Sequence, residues 1–298
     1  MWHTFRVPSS TSNLGAGFDA LSLALNRYLT VSVQKHREFD IQVDGVSAGL
    51  IPTGPDNLVL RVAQHVAAKR SSNLPPFSMK INNQIPLARG LGSSAAAIIA
   101  GITCYELMAG DQLSHDELFQ LALEFEPHPD NLAACFYGGL ISAAVSSTGA
   151  VFTAKLTTAS GITPVVVIPD FELSTKKARA VLPDQYSRAD AVYNIQRSAL
   201  IVASLTTGDW SLLREAMRDR IHERYRAPLI PGLTEILALE TPGLLGIALS
   251  GAGPTVLAFA EPAFADQVGG TIANIFQKNG VRATPLKLEV DTRGRVIL

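Results

Sequence analysis

Cysteine is nearly absent from this sequence of 298 residues: Cys104 and Cys135 are the only two, far apart in apolar surroundings and matching neither a metal-ligand spacing nor a redox pair. No disulfide framework is expected, and both read as buried thiols of a reducing compartment. An excess of charge is missing as well. Lys plus Arg number 25 against 26 Asp plus Glu, a formal net charge of −1, so no broad basic field exists to attract nucleic acid or an anionic membrane. Long apolar runs are also lacking. The charge-free apolar stretch Gly90 to Tyr105 is interrupted by Gly92, Ser93, Ser94 and Gly101 and is too short to cross a bilayer. Residues Met1–Arg6 show neither the basic start nor the apolar run of a secretory signal. The expectation is a cytoplasmic protein whose partner is a small molecule, with no nucleic acid and no membrane.

What is present suffices for a large core, since 47% of the residues are hydrophobic. Alternation of period two at Leu29–Val33, Phe39–Val43 and Phe77–Ile81 predicts half-buried strands. Asn57 to Arg70 carries Leu58, Val62 and Val66 at helical spacing, and Ser114-His115-Asp116-Glu117 is a capping box that opens a second helix. Small polar residues from Ser146 to Gly161 mark a hairpin or connection, which places a boundary between residues 1–155 and 156–298. Beyond it, Pro164–Ile168 reads as a buried strand, followed by helices over Ala189–Leu205 and Asp209–Tyr225. Strands at Leu244–Leu249 and Thr255–Ala260, a helix over Pro262–Lys278 and a closing strand at Leu286–Val290 complete an α+β pattern.

The densest chemistry lies at Pro86-Leu87-Ala88-Arg89-Gly90-Leu91-Gly92-Ser93-Ser94-Ala95-Ala96, between a predicted strand and a charge-free helix. Gly90 and Gly92 allow positive φ and close approach of the backbone to a ligand, so that successive N–H groups can point at an anion. A helix starting near Ser93 adds unpaired N-terminal donors and a positive dipole end, with Ser93 and Ser94 as caps or as hydroxyl donors to a phosphate-bound Mg²⁺. An ordinary Gly-Ser turn capping a buried helix fits the bare pattern equally well. The nucleotide motifs G-x-x-x-x-G-K-[ST] and G-x-G-x-x-G do not fit.

Over this loop the sequence resembles the GHMP kinases, the superfamily of galactokinase, homoserine kinase and mevalonate kinase. Further segments, in the same order along the chain, are similar to its homoserine kinase family in particular. They are Val7 to Asp19, Pro55-Asp56-Asn57-Leu58-Val59, Glu126-Pro127-His128-Pro129-Asp130-Asn131, the stretches around Arg179 and Arg226, and Ser250-Gly251-Ala252-Gly253-Pro254-Thr255. The resemblance implies a two-domain fold, an N-terminal part like ribosomal protein S5 domain 2 and a ferredoxin-like C-terminal part. It implies an alcohol phosphotransferase using ATP and Mg²⁺, acting on L-homoserine in threonine biosynthesis, and a homodimer.

Carried over residue by residue, substrate contact falls on Asn13, Asp19, His128, Asn131, Arg179 and Arg226. ATP contact falls on Asn57, on Pro86 through Ala96, and on Gly251 and Gly253, and Mg²⁺ on Ser94 and Glu126. Two guanidinium forks suit a carboxylate, and Asp19 suits an ammonium group. Asp130 and Asp19 are available as general bases, neither being assigned. Arg197 is a further arginine on a predicted helix. Pro127 replaces the glycine of the family segment E-G-H-P-D-N, fixing φ beside Glu126. A mevalonate-type kinase and a non-catalytic ligand sensor of the same fold are the competing readings.

Overall fold

The computed structural model describes residues 1–298. The chain begins with β1 (His3–Ser12), β2 (Leu21–Lys35), β3 (Asp40–Gly45), α1 (Leu58–Lys69), β4 (Phe77–Asn83), α2 (Ser93–Ala109), α3 (His115–Leu123) and α4 (Pro129–Tyr137). A hairpin of β5 (Leu140–Val145) and β6 (Val151–Leu156) follows. After a connection come β7 (Thr163–Pro169), α5 (Thr175–Ala180), α6 (Arg188–Thr207), α7 (Leu213–Ala216), α8 (Glu223–Arg226) and α9 (Leu233–Leu237). Then follow β8 (Leu244–Leu249), β9 (Val256–Ala260), α10 (Ala265–Lys278), β10 (Ala283–Lys287) and β11 (Val296–Ile297).

Two sheets organise these elements. The first runs β11-β1-β2-β4-β3, with β5 joined to the far end of β2 and β6 to β5. Only β3 and β4 are parallel. The second is antiparallel in the order β10-β7-β9-β8. Taken with its intervening helices this is the β-α-β-β-α-β arrangement called ferredoxin-like. Strand β11 returns from the second unit to pair with β1, matching Phe5 to Ile297 and Arg6 to Val296.

The continuous apolar run of β7 and β9 has a structural cause. Val165, Val167, Val256, Ala258 and Ala260 face a small core with α9 and α10, while Val166, Leu257 and Phe259 face the main core, so both sides are buried. Helix α2 is buried almost all round for the same reason, which explains its lack of charge up to Glu106.

Strand β1 extends to Ser12, and the turn that follows begins at Asn13. The four hydroxyl residues Ser9, Ser10, Thr11 and Ser12 are buried, which is tolerated because each one makes a side-chain hydrogen bond. Two expectations, both in the second unit, need correction. Asp209 to Tyr225 is not one helix. The Asp219 carboxylate accepts the N–H groups of Ile221, His222 and Glu223 at 3.0, 2.7 and 2.8 Å, diverting the backbone before α8. The closing strand is Ala283–Lys287 rather than Leu286–Val290: Leu288 N–H still bonds to Pro164 O on β7, but from Glu289 the chain crosses to β2, Glu289 O accepting from Asn26 N–H and Val290 bridging to Leu25. The stretch from Ser146 holds the expected hairpin, its turn leading into β6, which pairs residue by residue with β5 from Val145 to Leu140.

Candidate active site

Three turns converge on one cleft of about 310 Å³. They are the β1–β2 turn from Asn13, the loop before α2, and the β8–β9 turn at Ser250–Pro254. In the first, Asn13, Leu14 and Asp19 take left-handed φ of 73°, 49° and 54°. Asparagine and aspartate enter that region more readily than most residues, and the Asn13 amide fixes the turn. Its Oδ1 accepts the Asp19 N–H at 3.0 Å and its Nδ2 donates to Gly251 O at 2.8 Å, tying the first turn to the third.

The loop before α2 rests on that third turn. Ser250 Oγ donates to Gly90 O at 2.6 Å, and with its single hydrogen so used it accepts from Thr11 Oγ1 at 2.8 Å. At Gly90 (φ 78°) a Cβ would lie 2.3 Å from Ser250 O, and at Gly92 (φ 69°) a Cβ would lie 2.0 Å from Ser10 Oγ. Both positions therefore require glycine for space as well as for φ. Gly92 is itself the N-cap of α2, so Ser93 and Ser94 stand inside the first turn and do not cap it. No side chain takes up the first N–H groups, and Ala96 is the first residue to bond back, to Gly92 O. The donor end of a 17-residue helix thus opens on the cleft, an environment suited to an anion.

Glu126 and His128 line the same cleft, joined carboxylate to Nδ1, both largely buried. Pro127 does not turn Glu126 away. Asn131 is committed to β1: Oδ1 accepts from Ser10 Oγ at 2.9 Å and Nδ2 donates to Ser12 Oγ at 3.0 Å. Asp130 does not line the cleft. It is 1% exposed, neither carboxyl oxygen has a hydrogen-bond partner, and burial together with the charge of Asp19 pushes its pKa up to about 7.

Both arginines reach the cleft from the second unit. Arg179 on α5 makes a forked pair with Asp19. Arg226 on α8 is only 1% exposed, an unusual burial for an arginine. Its Nε donates to Ala178 O at 3.1 Å and its Nη1 to Gly251 O at 3.0 Å. Burial, then the neighbouring Arg179, lower its pKa to about 10, which leaves it charged at neutral pH. Arg197 lies outside, stacked on Tyr193 and paired with Glu215.

A second, mostly apolar cavity of about 260 Å³ adjoins the cleft and shares Ser93 and Ser94 with it. Leu29, Ile51, Pro52, Leu58, Ile81, Leu87 and Ala97 are among its walls, and Asn57 stands at its edge as the N-cap of α1. The remaining predicted contacts divide. Ala88, Gly90, Gly92, Ala95, Gly251 and Gly253 line the cleft. Pro86 lines neither cavity, Leu91 and Ala96 are in the core, and the Arg89 side chain points towards Asp170, 3.9 Å away.

Sequence reasoning did not single out Ser12, Leu173, Ser174, Thr175 or Ala252, which also line the cleft. The Ser174 N-cap was a legible signal, and Leu173 N–H holds the loop by donating to Ala88 O at 3.1 Å. Phe18 was missed too. Its ring lies beneath both guanidinium groups, 5.5 Å from Arg179 and 5.4 Å from Arg226.

Residues 57–139 match the family model described as the GHMP kinases N terminal domain, and residues 200–277 match GHMP kinases C terminal. The chain is 42% identical over 293 residues to homoserine kinase of Solibacter usitatus (strain Ellin6076), covering 98% of this chain and 96% of that one. It is 40% identical over 294 residues to homoserine kinase of Moorella thermoacetica (strain ATCC 39073 / JCM 9320), covering 98% and 99%. The crystal structure of homoserine kinase from Cytophaga hutchinsonii ATCC 33406 is similar with a TM-score of 0.85 and 26% identity, covering 100% of this chain and 97% of that one. Lactococcus lactis galactokinase, at 14% identity and a TM-score of 0.74 over 100% of this chain and 95% of its own, shares the fold. No helix is long and apolar enough to cross a membrane.

Proposed function

This chain belongs to the GHMP kinases, in their homoserine kinase family, and from that premise we propose that its cleft holds L-homoserine against Asp19, Arg179 and Arg226. The γ-phosphoryl group of ATP, held on the Pro86–Ala96 loop, is transferred to the homoserine hydroxyl to give O-phospho-L-homoserine. The observation that carries this reading is the meeting, in one cleft, of the uncapped N-terminus of α2 with a carboxylate and two guanidinium groups. The helix end suits a polyphosphate, and the side chains suit the two charges of an α-amino acid. The adjoining apolar cavity suits the adenine ring, since it shares Ser93 and Ser94 with the phosphate side.

Phosphoryl transfer depends mainly on positioning and on stabilising charge. In this reading the first N–H groups of α2 orient the phosphates, Arg226 and Arg179 hold the substrate carboxylate, and Asp19 and Asn13 hold the ammonium side. Ser94 and Glu126 would hold Mg²⁺. They are hard oxygen donors on the same cleft, and no cluster of three or more His, Cys, Asp or Glu competes with them, which suits an ion that completes its shell with phosphate oxygens and water. When bound, Mg²⁺ neutralises charge on the transferring phosphates. No general base is assigned, because Asp130 lies behind the cleft wall and Asp19 is engaged by Arg179.

A coupled assay of ADP release with homoserine, serine, threonine and mevalonate tests the reading. Turnover should be fastest with homoserine, and Arg226→Ala should raise the homoserine KM. Turnover of mevalonate alone would transfer the chain to the mevalonate-type kinases, and ATP binding without turnover of any alcohol would make it a sensor.

A further inference from the structure

His222 is fully buried, and its ring touches both halves of the proposed amino-acid site. Nε2 lies 3.0 Å from Gly15 O, in the β1–β2 turn that carries Asp19. A carbonyl only accepts, so Nε2 bears the hydrogen. Nδ1 lies 3.1 Å from Arg226 Nη1, and a guanidinium only donates, so Nδ1 is the bare nitrogen. The two contacts together define one neutral tautomer. The ring also stacks on Phe18, with centroids 5.0 Å apart and planes at 22°.

Arg226 is thereby tied on two sides. Its Nε is bonded to Ala178 O, and its Nη1 to Gly251 O and His222. Nη2 makes no hydrogen bond within the chain and is left for a ligand. We infer that His222 is a positioning residue of the amino-acid site, clamping the β1–β2 turn at Gly15 to the Arg226 guanidinium so that the ammonium-facing and carboxylate-facing halves keep one spacing. This rests on the function proposed above.

The charged groups facing the ring are Asp219, 3.9 Å from Nε2 on the preceding turn, Arg226 on the following one, and Asp19 across in the β1–β2 turn. Burial lowers the imidazole pKa more than Asp219 raises it, and Arg226 lowers it further. The ring therefore stays neutral at neutral pH. A proton on Nδ1 would set two donors against each other at the Arg226 contact and displace the guanidinium.

The side chains of Asn and Gln separate the two contacts. Asn places an amide oxygen near the Nδ1 position and keeps an acceptor for Arg226, whereas Gln reaches the Nε2 position and keeps only the Gly15 bond. His222→Gln should raise the homoserine KM about tenfold, or about 1.4 kcal/mol, with the ATP KM and kcat within about twofold. His222→Asn, which gives up the Gly15 bond, should likewise raise the homoserine KM while the ATP KM and kcat stay within about twofold. Thermal melts and the ATP KM report whether each variant is folded. Equal homoserine KM values in both variants and the parent, or an ATP KM that rises along with the homoserine KM, would overturn the inference alone. A parent enzyme that does not turn over homoserine would overturn it together with the proposed function.

Discussion

Asp19 and Arg179 form a forked ion pair in the cleft, Nη2 to Oδ1 at 2.6 Å and Nη1 to Oδ2 at 3.1 Å, joining the β1–β2 turn to α5. Each side chain is about one-third exposed, so the pair adds little to global stability. In the proposed function its value lies in matching a zwitterion, whose two charges would exchange with the two partners and leave neither uncompensated. Asp19→Asn should therefore raise the homoserine KM by about tenfold or more, the worth of one charge-assisted hydrogen bond, while the melting temperature moves little. Steady-state kinetics with ATP saturating, beside a thermal melt, checks both halves of the expectation.

Gly92→Ala would bring a Cβ to 2.0 Å from Ser10 Oγ at a φ of 69°. Ser10 cannot swing away freely, because its hydroxyl is bonded to Asn131. The variant should lose on the order of 1–3 kcal/mol of stability and bind ATP more weakly. Urea denaturation and ATP titration measure these, and Ser10→Ala in the same chain should restore part of the loss. Unchanged ATP affinity in Gly92→Ala would count against the loop as the phosphate site.

Asp130 gives a pH signature with a definite sign. Its folded pKa, about 7, lies above the ordinary aspartate value of 3.8, so between these pH values the folded state binds more protons than the unfolded one. Stability from this residue is therefore lost as pH rises through that window. Asp130→Asn should be more stable than the parent at pH 8, by a few kcal/mol at the order-of-magnitude level, with the difference shrinking towards pH 4. Denaturant midpoints at pH 4.5 and pH 8 test this, and a difference that grows on acidification would refute it.

Glu106 is 4% exposed within α2 and is paired with Arg295, which also donates to Thr103 Oγ1 at 3.3 Å. Arg295→Ala should strand that carboxylate and cost about 3 kcal/mol. Adding Glu106→Gln should recover part of the loss, a coupling that a double-mutant cycle reads directly. Strict additivity of the two changes would show that the ion pair is not what holds the tail.

The glycine-serine loop was legible in the sequence because its chemistry is local: two positive-φ residues and the first turn of the following helix lie within five positions. The burial of β7 was legible from its unbroken apolar run. Strand β1 was hidden by Pro8 and by four hydroxyl residues whose partners, Leu25, Asn131 and Ser250 among them, lie elsewhere in the chain. Arg226 reads as a surface charge because nothing near it in sequence announces the Gly251 and Ala178 carbonyls that receive it. His222 gave no signal at all, since its meaning depends on a contact with Gly15, 207 positions away. Local conformation is written in local sequence, whereas burial of polar groups is decided by tertiary partners.

The return of β11 to pair with β1 sets an order of events for the nascent chain. Phe5 and Arg6 are made long before their ladder partners, Ile297 and Val296, which emerge after all of the second unit. So wide a separation makes closure entropically slow and places it late in folding. Until then, the strand leading to Asn13 has an unpaired outer edge, the kind of surface at which chains associate wrongly. The cleft would thus reach its final form only after the last strand is synthesised, and incomplete chains would be inactive and prone to aggregate.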